Sequence, residues 1–130
     1  MKENPFNQPG SVINPNTLLR LESAAVFIAC VVALIRLGCP GWLVVVLALA
    51  PDLAMLGYLL NPRVGAISYN LAHFQLLAIA LAAFGFFSSL PVLLWIGLIW
   101  LAHTEFDRTM GYGLKLESFQ TTHLGRIGKR

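Results

Sequence analysis

The chain has 130 residues, 57% of them hydrophobic and 12% charged, with a mean hydropathy of +0.71. Soluble domains carry about 25% charged residues, so there is too little charge here to cover a water-facing globule. The length suits one membrane-type domain with no soluble enzyme beside it.

The net charge of +3 does not mark a nucleic-acid partner. The basic residues form no stripe interleaved with aromatics; they gather at the ends and loops of apolar segments, where membrane topology puts them. Residues 1–17 read as a polar cytoplasmic arm rich in Asn and Pro, without the basic-then-apolar layout of a cleavable signal peptide.

Four apolar runs follow, expected at 18–37, 42–60, 66–87 and 91–110 within a domain of residues 18–113. Each is close to the roughly 20 residues that cross about 30 Å of hydrocarbon. Each is expected to be a helix, because lipid offers backbone groups no partner. Turn signals separate them: Gly38-Cys39-Pro40-Gly41, Asn61-Pro62-Arg63, and Ser88-Ser89 before Pro91. Cys30 and Cys39 are too far apart along the first run for a disulfide and read as apolar fillers. Gly57, Gly65 and Gly97 are placed to allow close helix contact. A basic cytoplasmic tail occupies residues 114–130.

Lys2 and Arg20 precede the first run, Arg63 lies between the second and third, and Lys115, Arg126, Lys129 and Arg130 follow the fourth. Excess Lys and Arg mark cytoplasmic segments, which puts both termini inside and Trp42 and Trp95 toward the outer interface. The expected fold class is therefore all-α: an integral membrane antiparallel four-helix bundle with short loops.

The informative residues are the ones an apolar span should not contain. Glu22 lies in the first run, Asp52 in the second, His73 in the third, and His103 and Asp107 in the fourth. At about 1.5 Å of rise per residue they sit about 6, 12, 10, 11 and 5 Å from the cytoplasmic end of their spans. Ionisable groups at that depth are costly unless they are paired or bind a metal.

His103 and Asp107 are four apart and share a helix face, as do Tyr69 and His73, with Asn70 beside them. Pro51 removes a backbone donor just before Asp52 and is placed to kink the second span. Histidines and carboxylates from facing helices form the ligand set of zinc, iron or manganese. Asp52, His73, His103 and Asp107 are the expected metal ligands. Asp52 and Glu22 are the expected catalytic groups, with Glu22 a fifth ligand or general base. Tyr69, Asn70, Arg108 and His123 are expected to support the site or meet substrate. Glu105, two residues beyond His103, points away from it and is expected to pair with Arg108.

The strings Pro51-Asp52-Leu53-Ala54-Met55-Leu56-Gly57-Tyr58, Tyr69-Asn70-Leu71-Ala72-His73, Phe106-Asp107-Arg108, Gly111-Tyr112-Gly113-Leu114-Lys115 and Thr122-His123-Leu124-Gly125 resemble a family of small bacterial membrane proteins described only as a domain of unknown function. The resemblance covers nearly all of residues 20–128 and implies an architecture without an activity. A weaker likeness is to the membrane-bound metal-dependent hydrolases, which also carry a Pro-Asp at a helix and later intramembrane histidines. This chain has His103-Thr104-Glu105 where their His-Arg-Gly-x-Thr-His string is expected.

The leading functional expectation is a metal-binding protein of the bacterial inner membrane, acting as a hydrolase on a lipid-like or amphipathic substrate at the cytoplasmic leaflet. The alternatives are a proton- or cation-binding transport protein working as a homo-oligomer, and a non-catalytic membrane partner subunit whose polar cluster fixes helix packing. The expected partners are the bilayer, a lipid-like small molecule and a second copy of the chain. With both termini inside, Lys115→Cys in a Cys30→Ala, Cys39→Ala background should resist a membrane-impermeant thiol reagent in intact cells and react after permeabilisation; labelling from outside would reverse the topology.

Overall fold

A computed structural model describes residues 14–112, 121–122 and 125–126. Helix α1 spans Pro15–Arg36 and α2 Gly41–Ala48; a 3-10 helix follows at Ala50–Leu59; α3 is Pro62–Ala72, α4 Gln75–Phe87 and α5 Pro91–Thr109. A two-stranded antiparallel pair, β1 (Thr121–Thr122) and β2 (Gly125–Arg126), lies in the C-terminal tail. The rest of the tail and the N-terminal arm, His123 included, lie outside the described residues.

The helix starts follow from local chemistry. Pro15, Pro62 and Pro91 stand at first helical positions, where a missing N–H costs nothing and φ is already set. Asn14 and Asn61 cap α1 and α3 by accepting from the amides of Asn16 at 2.9 Å and Val64 at 2.8 Å. Gly38 just after α1 and Gly111 just after α5 both take positive φ, where a glycine closes the last turn without a Cβ clash.

Two of the expected spans are not continuous α-helices. The second breaks after Ala48 and continues as ten residues of 3-10 helix. Pro51 is the cause: its ring clashes with the carbonyl four residues back and it donates no hydrogen bond. A 3-10 run normally stops within three or four residues. This one is braced by α3, whose Ser68 hydroxyl donates to the Ala54 carbonyl at 2.7 Å. The third span breaks at His73 and Phe74, where α3 ends and α4 begins. No proline or glycine marks that break.

Three helical stretches are long and apolar enough to cross a membrane: Pro15–Arg36, Gly41–Leu59 and Pro62–Phe87. The fourth expected span, α5, has comparable length, but Glu105, Asp107 and Arg108 crowd its final turns. Protein shields much of it instead. α5 packs against α1 and α4 and touches α2, while α3 packs on the 3-10 helix. Ile99, Leu101, Ala102, Thr104 and Glu105 of α5 are all buried. Cys30 and Ala78 join Leu101 and Ala102 in the core, and both cysteines are free thiols. Most large apolar side chains of α1, α2 and α4 face outward, as they do where lipid is the solvent.

Without a hydrophobic drive between helices in lipid, close backbone approach supplies the packing energy. Gly97 of α5 lies against the backbone of Ala82 in α4, Gly85 of α4 against that of Leu94, and Gly57 of the 3-10 helix against Gly65 and Ser68 of α3. Gly85 joins the three glycines expected from the sequence. Gly97→Leu should lower stability in detergent by about 1–3 kcal/mol, the usual cost of overpacking, whereas Gly41→Ala, with nothing near its added methyl, should be tolerated. Equal unfolding midpoints for the two variants would show that the α4–α5 approach is not tight.

Candidate metal centre

Both helix breaks and α5 meet at one place. Asp52 is in the first turn after the Pro51 break, His73 is the residue at which α3 stops, and His103 and Asp107 share a face of α5. Four ligand atoms, one from each residue, lie within 4.8 Å of one another.

Five separations define the group. His73 Nε2 is 3.1 Å from His103 Nε2, 3.2 Å from Asp107 Oδ2 and 3.5 Å from Asp52 Oδ1. His103 Nε2 is 3.2 Å from Asp52 Oδ1 and 3.3 Å from Asp107 Oδ2. In a tetrahedral site with ligands at about 2.0–2.1 Å, ligand atoms are about 3.3 Å apart. The five distances bracket that edge.

The orientation of the rings is enforced from outside the cluster. The Nδ1 of His73 lies 3.0 Å from the Tyr69 carbonyl. A carbonyl only accepts, so Nδ1 carries the proton and Nε2 turns a lone pair toward the other three groups. The Tyr69 ring stacks on the His73 imidazole with centroids 3.8 Å apart and planes 13° apart. The backbone of Ala48, the last residue of α2, lies beside the His103 ring. At the other break the Trp100 indole donates to the Ala72 carbonyl, which the end of α3 leaves without an intrahelical partner. The tight C-terminal turn of α5, where the Tyr112 amide donates to the Asp107 carbonyl at 2.8 Å, fixes the backbone that carries Asp107.

Burial is uneven. The side chains of His73, His103 and Asp107 are 4%, 9% and 17% exposed, whereas that of Asp52 is 46% exposed. The cluster is enclosed on three sides and opens past Asp52, beside the exposed Leu49, Leu53 and Leu56. Two carboxylates and an imidazole lone pair converge with few donors among them. Only protons or a cation can hold such a set together in low dielectric, and a divalent ion supplies the charge that matches two aspartates.

Of the residues expected from sequence, the fold brings together Asp52, His73, His103 and Asp107, and places Tyr69 against His73. Asn70 is half-buried next to Tyr69. Glu22 does not join the four. It lines a separate cavity with Arg20, Ser23, Glu105 and Arg108. Depth along a helix axis, the ground for expecting Glu22 here, does not fix azimuth. α1 packs on the side of α5 that carries Glu105, about 200° around the helix from His103. Arg108 faces this second cavity as well. Trp100, the Ala48 backbone and the Tyr69 carbonyl are parts of the site that sequence reading missed. Their only signal was the position of Trp100, three residues before His103.

Apolar helices broken where two histidines and two aspartates meet define a membrane-type protein with a group able to hold a metal ion. The chain belongs to the family described as Domain of unknown function (DUF4260), whose model matches residues 16–127 and so includes all four cluster residues. No curated protein and no solved structure matches the chain.

Trp100→Phe keeps the ring and removes the donor to Ala72. Leaving that carbonyl unpaired should cost about 1–3 kcal/mol in detergent unfolding. An unchanged midpoint would mean the Ala72 carbonyl finds another partner.

Proposed function

We propose that this protein is a membrane-embedded metal-dependent hydrolase of a lipid-like or amphipathic substrate. The observation that carries the reading is the set of five ligand-to-ligand distances, 3.1 to 3.5 Å, between groups whose orientation is set by backbone groups outside the cluster. Nitrogen and oxygen donors together favour zinc, iron or manganese over calcium or magnesium.

Two histidines and one carboxylate with an open position form the donor set of hydrolytic zinc sites. His73, His103 and Asp107 are the enclosed three. A metal held by them supplies Lewis acidity to a substrate oxygen and acidity to a water beside it. Asp52, the exposed member of the four, would help hold the ion and would also be placed to accept a proton from a water and direct its oxygen at a carbonyl or phosphoryl centre. Tyr69 holds the His73 ring in register throughout.

The outward-facing leucines beside Asp52 support an apolar substrate portion arriving from the bilayer. The placement of Lys and Arg supports an antiparallel arrangement with both termini in the cytoplasm, so the open side lies at the inner leaflet. A cytoplasmic membrane of a bacterium is the setting that this topology fits.

Protein purified without chelator should carry close to one zinc, iron or manganese per chain by elemental analysis, and His73→Ala should lose it. Acidification should release the ion, because protons compete for the same imidazole and carboxylate atoms. Asp52→Asn should keep the three enclosed ligands and retain metal, while hydrolysis of micellar p-nitrophenyl esters and phosphodiesters falls about 100-fold or more, the scale of a lost general base. Metal-free protein, or His73→Ala with unchanged metal content, sinks the metal reading; Asp52→Asn with full turnover sinks the role of Asp52.

A further inference from the structure

α5 has a second polar face. On the side away from the metal ligands, α1 and α5 border a cavity of about 240 Å³ lined by Arg20, Glu22, Ser23, Gln75, Glu105 and Arg108. Glu105 is 2% exposed, and its Oε1 is buried with no hydrogen-bond partner among the described residues. The Ser23 side chain lies beside the same carboxyl group. An acceptor oxygen in that position, with nothing donating to it, is costly unless something else does.

The charges around the cavity form no close ion pairs. Among the described residues no ion pair within 4.0 Å joins Arg20 or Arg108 to Glu22 or Glu105. Glu105 and Arg108, expected to pair from their spacing, interact electrostatically across the cavity but make no ion pair within 4.0 Å. Arg20 is fixed instead by its Nε, which donates to the Thr109 carbonyl near the end of α5 at 2.8 Å. That leaves the terminal nitrogens of its guanidinium for another acceptor. The buried residues, Glu105 and Ser23, form the floor; Arg20 and Glu22 stand exposed at the rim, with Arg108 between. From floor to rim the cavity offers a carboxylate acceptor and then two guanidiniums.

We propose that this cavity binds a small zwitterion consisting of a primary ammonium next to a phosphate, the phosphoethanolamine group. The ammonium donates to Glu105 Oε1 at the floor, with Glu22 as a second negative charge. The guanidiniums of Arg20 and Arg108 take the phosphate, for which a planar fork of donors is well matched. The same group occurs at the head of a phospholipid and as a free metabolite. The cavity takes either; the exposed leucines of α1 beside the rim, Leu18, Leu19 and Leu21, provide an apolar surface for acyl chains. This site does not depend on the metal centre, which lies on the other face of α5.

The test uses the full chain in detergent, with bound ligand read by native mass spectrometry against short-chain phosphatidylethanolamine, short-chain phosphatidylcholine and free O-phosphoethanolamine. A quaternary ammonium has no N–H to give Glu105, so the ethanolamine lipid should bind at least tenfold better than the choline lipid. Glu105→Gln should shrink that preference to about twofold or less while leaving metal content unchanged. Binding of the lipid but not of O-phosphoethanolamine identifies the membrane as the source; binding of both identifies the soluble compound as a ligand too. Equal binding of the two lipids by the unaltered protein overturns the proposal without need of a variant. So does an unchanged preference in Glu105→Gln, or neither ethanolamine compound binding. If Glu105→Gln loses metal along with preference, the two faces are one site and the proposal fails in that form.

Discussion

A helix in hydrocarbon satisfies its own backbone, and every interruption leaves amides and carbonyls that must find partners from neighbouring protein. That constraint organises this molecule. The second span is interrupted at Pro51 and the third at His73, and side chains reach the backbone around the breaks: Ser68 on the Ala54 carbonyl, Trp100 on the freed Ala72 carbonyl, the His73 ring on Tyr69. Two of these three partners do a second thing. The bond from His73 to Tyr69 sets which nitrogen faces the cluster. Trp100 ties α5 to the end of α3 and so brings His103 up to His73.

Polar side chains are tolerated at this depth because the breaks and the charges stabilise each other. An aspartate or charged histidine on an unbroken lipid-facing helix costs about 2.5–3.5 kcal/mol or more. Here the four polar residues meet at helix breaks inside protein, where opposite charge or a cation can balance them. The close glycine approaches between α4 and α5, and between the 3-10 helix and α3, keep lipid away from that point. A bulkier residue at any of them would separate the elements that carry the ligands.

α5 explains why one short chain can hold two different polar environments. Its last turns place His103 and Asp107 on one face and Glu105 on the other, two residues being enough to turn the side chain about 200°. The first face meets helices that break and supply ligands. The second meets the N-terminal half of α1, which supplies Arg20, Glu22 and Ser23. A helix with charges on opposite faces reads from composition as a poor membrane span; packed between α1 and α4 it becomes the centre of the fold.

The sequence by itself determined the apolar helical character of the chain, the starts of its helices and the four residues of the cluster. Hydropathy, helix-start prolines and the cost of buried charge are local properties, and they stay the same wherever the chain folds. The i,i+4 spacing of His103 and Asp107 fixed their common face for the same reason. Only tertiary structure decided the rest. The break at His73 carries no proline or glycine; the groups that meet it are a tryptophan from another helix and the residue's own imidazole. The exclusion of Glu22 was likewise invisible: its depth along α1 was readable, but the direction it faces depends on which side of α5 that helix packs against. Azimuth between helices is set by side-chain contact across the bundle, and no spacing along a single segment records it.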